Sequence, residues 1–219
     1  AGAGRFSIVT GGRTVSHKDL MTVAAAISEI RKLDLSPCAS LGLMKAKELS
    51  LLKEAGLDRY HHNLETSRHF FTRICSTHTY DDKLRTISAA KSVGLSVCSG
   101  GLFGTGESWE DRVDMAFALR ELDVDSVPIN FLIPIKGSPM EGRQLLHPFD
   151  ALKIIGLFRL ILAPKEIRIC GGRLQVLGEF NPLVFAAGAD GIITGNYLTT
   201  LGRSPADDLH LIRQCGLKI

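Results

Sequence analysis

The sequence predicts an α/β fold of parallel strands and crossover helices, arranged as a β/α barrel that lacks one unit. Three observations point there. Short β-branched runs alternate with longer stretches whose apolar residues recur at three- and four-residue steps. Such alternation implies parallel strands with right-handed crossovers. No Gly-x-Gly-x-x-Gly turn follows the first strand, as a dinucleotide-binding doubly wound sheet would carry. Seven strand–helix units can be counted, one short of the eight of a TIM-type barrel. The expectation is one domain over residues 1–219, corresponding to strands two to eight of such a barrel, with the doubly wound sheet as the alternative.

The elements follow in order. Arg5–Thr10 reads as a strand that begins almost at once after Ala1-Gly2-Ala3-Gly4, a start without Met that suggests an absent preceding unit. Lys18–Leu33 is a helix, Ser36–Leu41 a strand and Ala46–Ala55 a helix closed by Gly56. Arg59–Leu64 is a strand with polar residues at alternate positions. Tyr80–Val93 is a helix, with Leu84, Ile87 and Ala90 on one face and Gly94 behind it. Ser96–Phe103 is a strand. Ser108 then caps the helix Trp109–Leu122, with Asp111 three residues on. The strand Ser126–Leu132, the helix Ala151–Leu162, the strand Glu166–Cys170 and the helix Asn181–Ala187 follow, then the strand Gly191–Gly195 and the helix Asp207–Gln214.

Composition narrows the function. The chain has 219 residues, 45% of them hydrophobic, enough for a large core. Its net charge is only +3, and Lys and Arg are dispersed without interleaved aromatics, which argues against nucleic acid. No apolar run approaches the roughly 18–20 residues of a membrane span. Five cysteines, an odd number, without a secretory signal indicate a reducing, cytoplasmic setting rather than a disulfide framework.

Three of these cysteines carry the chemistry. Cys38, Cys98 and Cys170 each sit where a strand run gives way to polar or glycine-rich residues. That is the end at which α/β barrels place their sites. Counting the absent unit as the first, they fall on the third, fifth and seventh strands, which fill the same interior layer. Converging thiolates suggest an iron–sulfur cluster. Arg168, two residues from Cys170, shares its face. Cys75 and Cys215 read as packing thiols in helix-like settings.

Other segments add polar groups. The run Cys98-Ser99-Gly100-Gly101-Leu102-Phe103-Gly104-Thr105-Gly106-Glu107 lets backbone approach a flat ligand, although glycines also make ordinary turns. His61, Asn63 and Glu65 share one face, either as a hydrogen-bond network or as ligand contacts. His61 and His62, with no further ligand at metal spacing, do not read as a zinc site. Asn130 lies inside an apolar strand and needs partners, from a substrate or from backbone.

Together these segments resemble the biotin synthases, a family of radical S-adenosylmethionine (SAM) enzymes. The matching stretches are Ala55–Ser67, Cys98–Glu107, Ser126–Asn130 with Lys136-Gly137-Ser138-Pro139, Arg168 with Gly172-Arg173, and Asn196-Tyr197-Leu198-Thr199-Thr200. The resemblance implies a TIM-type barrel that inserts sulfur into dethiobiotin. A [4Fe–4S] cluster would reduce SAM to a radical that abstracts hydrogen, and an auxiliary cluster, [4Fe–4S] or [2Fe–2S], would supply sulfur. It also implies an electron donor such as flavodoxin or ferredoxin, and a homodimer. Carried over, Asn63 and Glu65 would contact the SAM ribose, and Gly100, Gly101, Gly104 and Ile133 would border its methionine and adenine. Asn63 and Asn130 would bind the ureido ring, and Thr199, Thr200 and His61 the substrate carboxylate. Lys83 stands where the family has Arg for the SAM carboxylate.

Two departures stand out. The Cys-x-x-x-Cys-x-x-Cys loop that binds the SAM cluster is absent from the 219 residues, so this chain alone would be inactive. Of the family's auxiliary ligands, one cysteine becomes Ser7, two map to Cys38 and Cys98, and the arginine maps to Arg168. Cys170 is an extra thiol expected to replace the lost ligand. Alternatives are a related radical SAM enzyme with another substrate, or a short non-catalytic homologue that binds a cluster or ligand.

Overall fold

The computed structural model describes residues 4–196 and 202–218. Strands β1 (Arg5–Val9), β2 (Ser36–Ser40), β3 (Arg59–His61), β4 (Ser96–Cys98), β5 (Gly101–Phe103), β6 (Ser126–Phe131), β7 (Glu166–Ile169) and β8 (Gly191–Ile192) alternate with helices. The helices are α1 (His17–Lys32), α2 (Ala46–Glu54), α3 (Phe71–Ile74), α4 (Tyr80–Ser92), α5 (Trp109–Glu121), α6 (Pro148–Leu162), α7 (Arg173–Leu177), α8 (Leu183–Ala186) and α9 (Pro205–Gln214). None of these is long and apolar enough to cross a membrane among the described residues. Two compact units result. The first is Ala1–Leu64 with Arg68–Ser99 and Leu122–Asp125; the second is Glu65–Ser67 with Gly100–Glu121 and Ser126–Ile219.

In the first unit β1, β2, β3 and β4 pair in chain order, all parallel. Sequential parallel pairing is what consecutive barrel units produce. The pleat sends alternate side chains to opposite faces. Ala39, Tyr60 and Val97 are fully buried on one face, with Ile27, Leu49, Leu52 and Ile87 from the helices also fully buried. Tyr60 extends its hydroxyl to the turn after β2, donating to the Gly42 carbonyl at 2.7 Å and accepting from the Leu41 amide at 3.3 Å. Ser16 caps α1, and Thr79 with Asp82 forms a capping box on α4, so the starts of both helices are satisfied by their own side chains.

In the second unit β6 is central. It pairs with β5 and β7, and β7 pairs with β8, again all parallel. Val127, Ile129, Ile167 and Ile169 are fully buried, and Phe103 meets Phe158 of α6 edge to face at 5.3 Å between ring centres.

Three readings of the sequence need correction. The stretch Ser96–Phe103 is not one strand but two, β4 and β5, with the regular ladder interrupted at Ser99–Gly100: β4 pairs with β3, and β5 pairs with β6. Regular pairing in Arg59–Leu64 ends at His61. The short helices α3 and α7 were not anticipated, since four or five residues give periodicity nothing to show.

Candidate functional site

The first unit carries Cys38, His61, Asn63 and Cys98. Register fixes their rows: Ser7 pairs with Cys38, Cys38 with Arg59, Arg59 with Ser96, and His61 with Cys98. These side chains lie on the face opposite buried Tyr60. From β2 to β4 the two thiols are offset by two residues in this register. A sheet staggered by about one residue per strand, the shear of an eight-stranded barrel, turns that offset into a single level.

Both thiols are buried, Cys38 at 6% and Cys98 at 1% exposure. Burial pushes the Cys38 thiol above its ordinary value and the Cys98 charge adds to the rise, while Ser7, Arg5 and Arg59 oppose it. The His61 Nδ1 lies 3.2 Å from the Cys98 Sγ. Thus His61, assigned to a substrate carboxylate by resemblance, stands against a thiol. Among the described residues no three His, Cys, Asp or Glu side chains gather as a set for a metal ion. Ligands of a cluster bind different irons and need no common point, so two buried thiols on one face suit an iron–sulfur group better than a lone ion.

The second unit carries Glu65, Gly100, Gly101, Gly104, Asn130, Ile133, Arg168 and Cys170. Glu65 has a left-handed backbone, φ 74°, rare for a residue with a side chain. It is held there by two bonds: its amide donates to the Gly100 carbonyl at 3.1 Å, and its carbonyl accepts from Leu102 at 2.9 Å. Asn130 is bound by backbone on both sides. Its Nδ2 donates to the Gly101 carbonyl at 3.2 Å, and its Oδ1 accepts from the Gly171 amide at 3.0 Å. Arg168 donates from Nε to Ser126 Oγ at 3.0 Å. Cys170 is buried at 4% exposure, its Sγ 3.7 Å from the Arg168 carbonyl. Ile133 leaves β6 half-buried.

The glycine segment is more occupied than the sequence suggests. A Cβ at Gly100 would strike the Pro128 carbonyl, and one at Gly101 would lie 2.5 Å from the Glu65 carbonyl oxygen. Both glycines therefore serve close backbone packing. Beyond them the chain makes a turn at Gly104, Thr105 and Gly106, all of whose amides donate to the Glu107 carboxylate, at 2.8–3.2 Å. Arg112 completes the cage with Nε and Nη2 at 3.0 and 2.9 Å. No turn amide in this trio is left for a phosphate.

Residues 1–119 match the radical SAM superfamily, and residues 128–218 match the Biotin and Thiamin Synthesis associated domain. The chain is 52% identical over 218 residues to the biotin synthase of Thermodesulfovibrio yellowstonii, covering 100% of this chain and 69% of that protein. The chain belongs to the biotin synthase family. The biotin synthase of Trichlorobacter lovleyi is 54% identical over 220 residues, again across 100% of this chain and 66% of the relative, so the chain spans about two thirds of these biotin synthases. Among solved structures, methylornithine synthase superposes with a TM-score of 0.83 at 23% identity, over 99% of this chain and 69% of that one. The FeFe-hydrogenase maturase HydG from Carboxydothermus hydrogenoformans gives 0.78 at 18% identity, over 98% and 55%. At that identity these likenesses show the fold alone, the parallel β/α barrel type expected from the alternation of strands and helices. Radical SAM chemistry in biotin synthesis is the reaction class of the biotin synthase family.

Of the residues carried over from the biotin synthases, the structure brings His61 to Cys98 and Asn130 to Gly101. Thr199 and Thr200 lie outside the described residues. Sequence reasoning missed two features. The first is Cys75, which is half-buried rather than a core thiol, as is Cys215. Burial pushes the Cys75 thiol up, but hydrogen bonds with Thr77 and His78 and the Lys83 charge outweigh it and hold the thiol below its ordinary value. The second is His62. Its Nε2 is buried without a hydrogen-bond partner among the described residues. Burial, with the Lys83, His61 and His78 charges, lowers its pKa to about 3.

The His62 shift sets a pH dependence. The unfolded chain binds the proton near the ordinary pH of about 6.5 and the folded chain only near 3. Between those values the unfolded state holds more protons, so stability falls as pH drops through the window. Urea midpoints measured from pH 7 to pH 4 should decline, and the decline should be shallower in His62→Gln. Equal slopes would refute the assignment.

Proposed function

We propose that this chain is the barrel of a biotin synthase in which dethiobiotin is held and receives sulfur from an auxiliary cluster. Cys38 and Cys98, with Arg168 and the extra thiol Cys170, would hold that cluster. When bound, SAM and its own [4Fe–4S] cluster would supply the hydrogen-abstracting radical, and the auxiliary cluster the sulfur. Asn63, Glu65, Gly100, Gly101, Gly104 and Ile133 would line the SAM pocket. With its turn amides committed to Glu107, the glycine segment offers packing surface, which suits a flat adenine or a methionine chain.

Asn63 and Asn130 would take the ureido ring. Asn130 uses one Nδ2 hydrogen and one Oδ1 lone pair on backbone. An amide has a second of each, matching the carbonyl and N–H of a cyclic urea. His61, Thr199 and Thr200 would hold the carboxylate, with His61 also touching Cys98. A flavodoxin or ferredoxin as electron donor, a homodimer and a cytoplasmic, thiol-preserving setting complete the reading.

The observation that carries this reading is the pair of buried thiols Cys38 and Cys98 on one sheet face, in a chain of this family. Anaerobic reconstitution with ferrous iron and sulfide tests it. The wild-type chain should gain the visible absorption of thiolate-bound iron, and Cys38→Ala and Cys98→Ala should each lose most of it and most of their iron. Full spectra in both variants would defeat the reading. An unchanged spectrum in Cys170→Ala would remove that thiol from the ligand set alone.

A further inference from the structure

A cation stands beside the expected cluster ligands in the first unit. Arg59 on β3 is register-paired with Cys38 on one side and with Ser96 on the other. Paired residues of neighbouring strands lie side by side on one face, with strands about 4.8 Å apart. Ser96 precedes Cys98 by two residues and shares its face. The Arg59 Nε donates to Ser96 Oγ at 3.1 Å, which fixes the half-buried guanidinium within this row. The charges of Arg59 and Arg5 both reach Cys38. Thiolates and sulfides make a cluster anionic, and each added electron makes it more so. A fixed positive charge in a half-buried site favours the reduced form.

We propose that Arg59 is an electrostatic positioning residue for the auxiliary cluster, held by Ser96 beside Cys38, and that it raises the reduction potential of that cluster. The inference rests on the cluster reading above. It concerns the tuning of the cluster, not its ligation.

The test uses the reconstituted chain and its Arg59→Lys and Arg59→Met variants. Dithionite supplies the electron, one per cluster, with mediators, and the reduced cluster is read by electron paramagnetic resonance. At a fixed applied potential the reduced-to-oxidised ratio in Arg59→Met should fall about tenfold, which is about 59 mV for a one-electron couple. Arg59→Lys, which keeps the charge, should stay within about threefold of wild type. Thermal melts by circular dichroism show whether each variant folds, and Arg59→Gln replaces the Met variant where that one does not.

A wild-type midpoint in folded Arg59→Met or Arg59→Gln, in a chain whose Cys38→Ala variant loses its cluster, overturns this inference alone. A full cluster in Cys38→Ala overturns the ligand assignment and the inference with it.

Discussion

Replacing Arg173 with methionine is expected to destabilise the second unit by roughly 3–5 kcal/mol, the usual effect of stranding one member of a buried ion pair. Arg173 is fully buried, and so nearly is Asp208. The guanidinium donates to Asp208 Oδ2 at 2.8 Å, to Asn181 Oδ1 at 2.8 Å and to the Ile193 carbonyl at 3.3 Å. It thereby ties α7 to α9 and to the exit of β8. Among the described residues its Nε has no hydrogen bond, and Arg203 stands 4.0 Å from the second Asp208 oxygen. The arrangement is incompletely satisfied, so its value lies in the cost of breaking it. Urea unfolding should show the loss in Arg173→Met and a similar one in Asp208→Leu. The double variant should be less destabilised than the sum, because neither charge is then left alone. Strict additivity would mean that the two side chains do not act as a pair.

Glu107→Ala should be similarly severe, about 3–5 kcal/mol. It leaves the buried Arg112 without its carboxylate and takes the acceptor from three turn amides at once. Glu107→Gln keeps an acceptor but loses the charge, so it should fall between wild type and Glu107→Ala. The check is the order of the three urea midpoints, together with faster hydrogen exchange at the Gly104, Thr105 and Gly106 amides. Wild-type protection of those amides in Glu107→Ala would refute the cage.

Much of this was legible in the amino-acid pattern. The helix expected at Tyr80–Val93 forms over Tyr80–Ser92, because Ile87 and Ala90 repeat on one buried face and Thr79 caps its start. The strand Ser36–Leu41 forms with its cysteine buried. What stayed hidden depends on partners distant in the chain. The break at Ser99–Gly100 falls where Gly100 presses against the Pro128 carbonyl, a neighbour that local preference cannot announce. Gly100 and Gly101 were read toward a ligand or an ordinary turn; that their missing side chains also make room for Pro128 and Glu65 shows only in the fold. Arg59 opens the strand expected at Arg59–Leu64; only register sets it beside Cys38. For Asn130 the sequence left backbone and substrate open, and the structure supplies the backbone half.

The caged carboxylate at Glu107 also bears on which anions the turn can admit. Loops rich in glycine commonly attract free phosphate and nucleotides, which abound in cells, through their exposed amides. Here the resident anion, matched by Arg112, fills that seat permanently. Competition from ATP at this turn is thereby forestalled, by a counterfeit built into the chain itself rather than by any door.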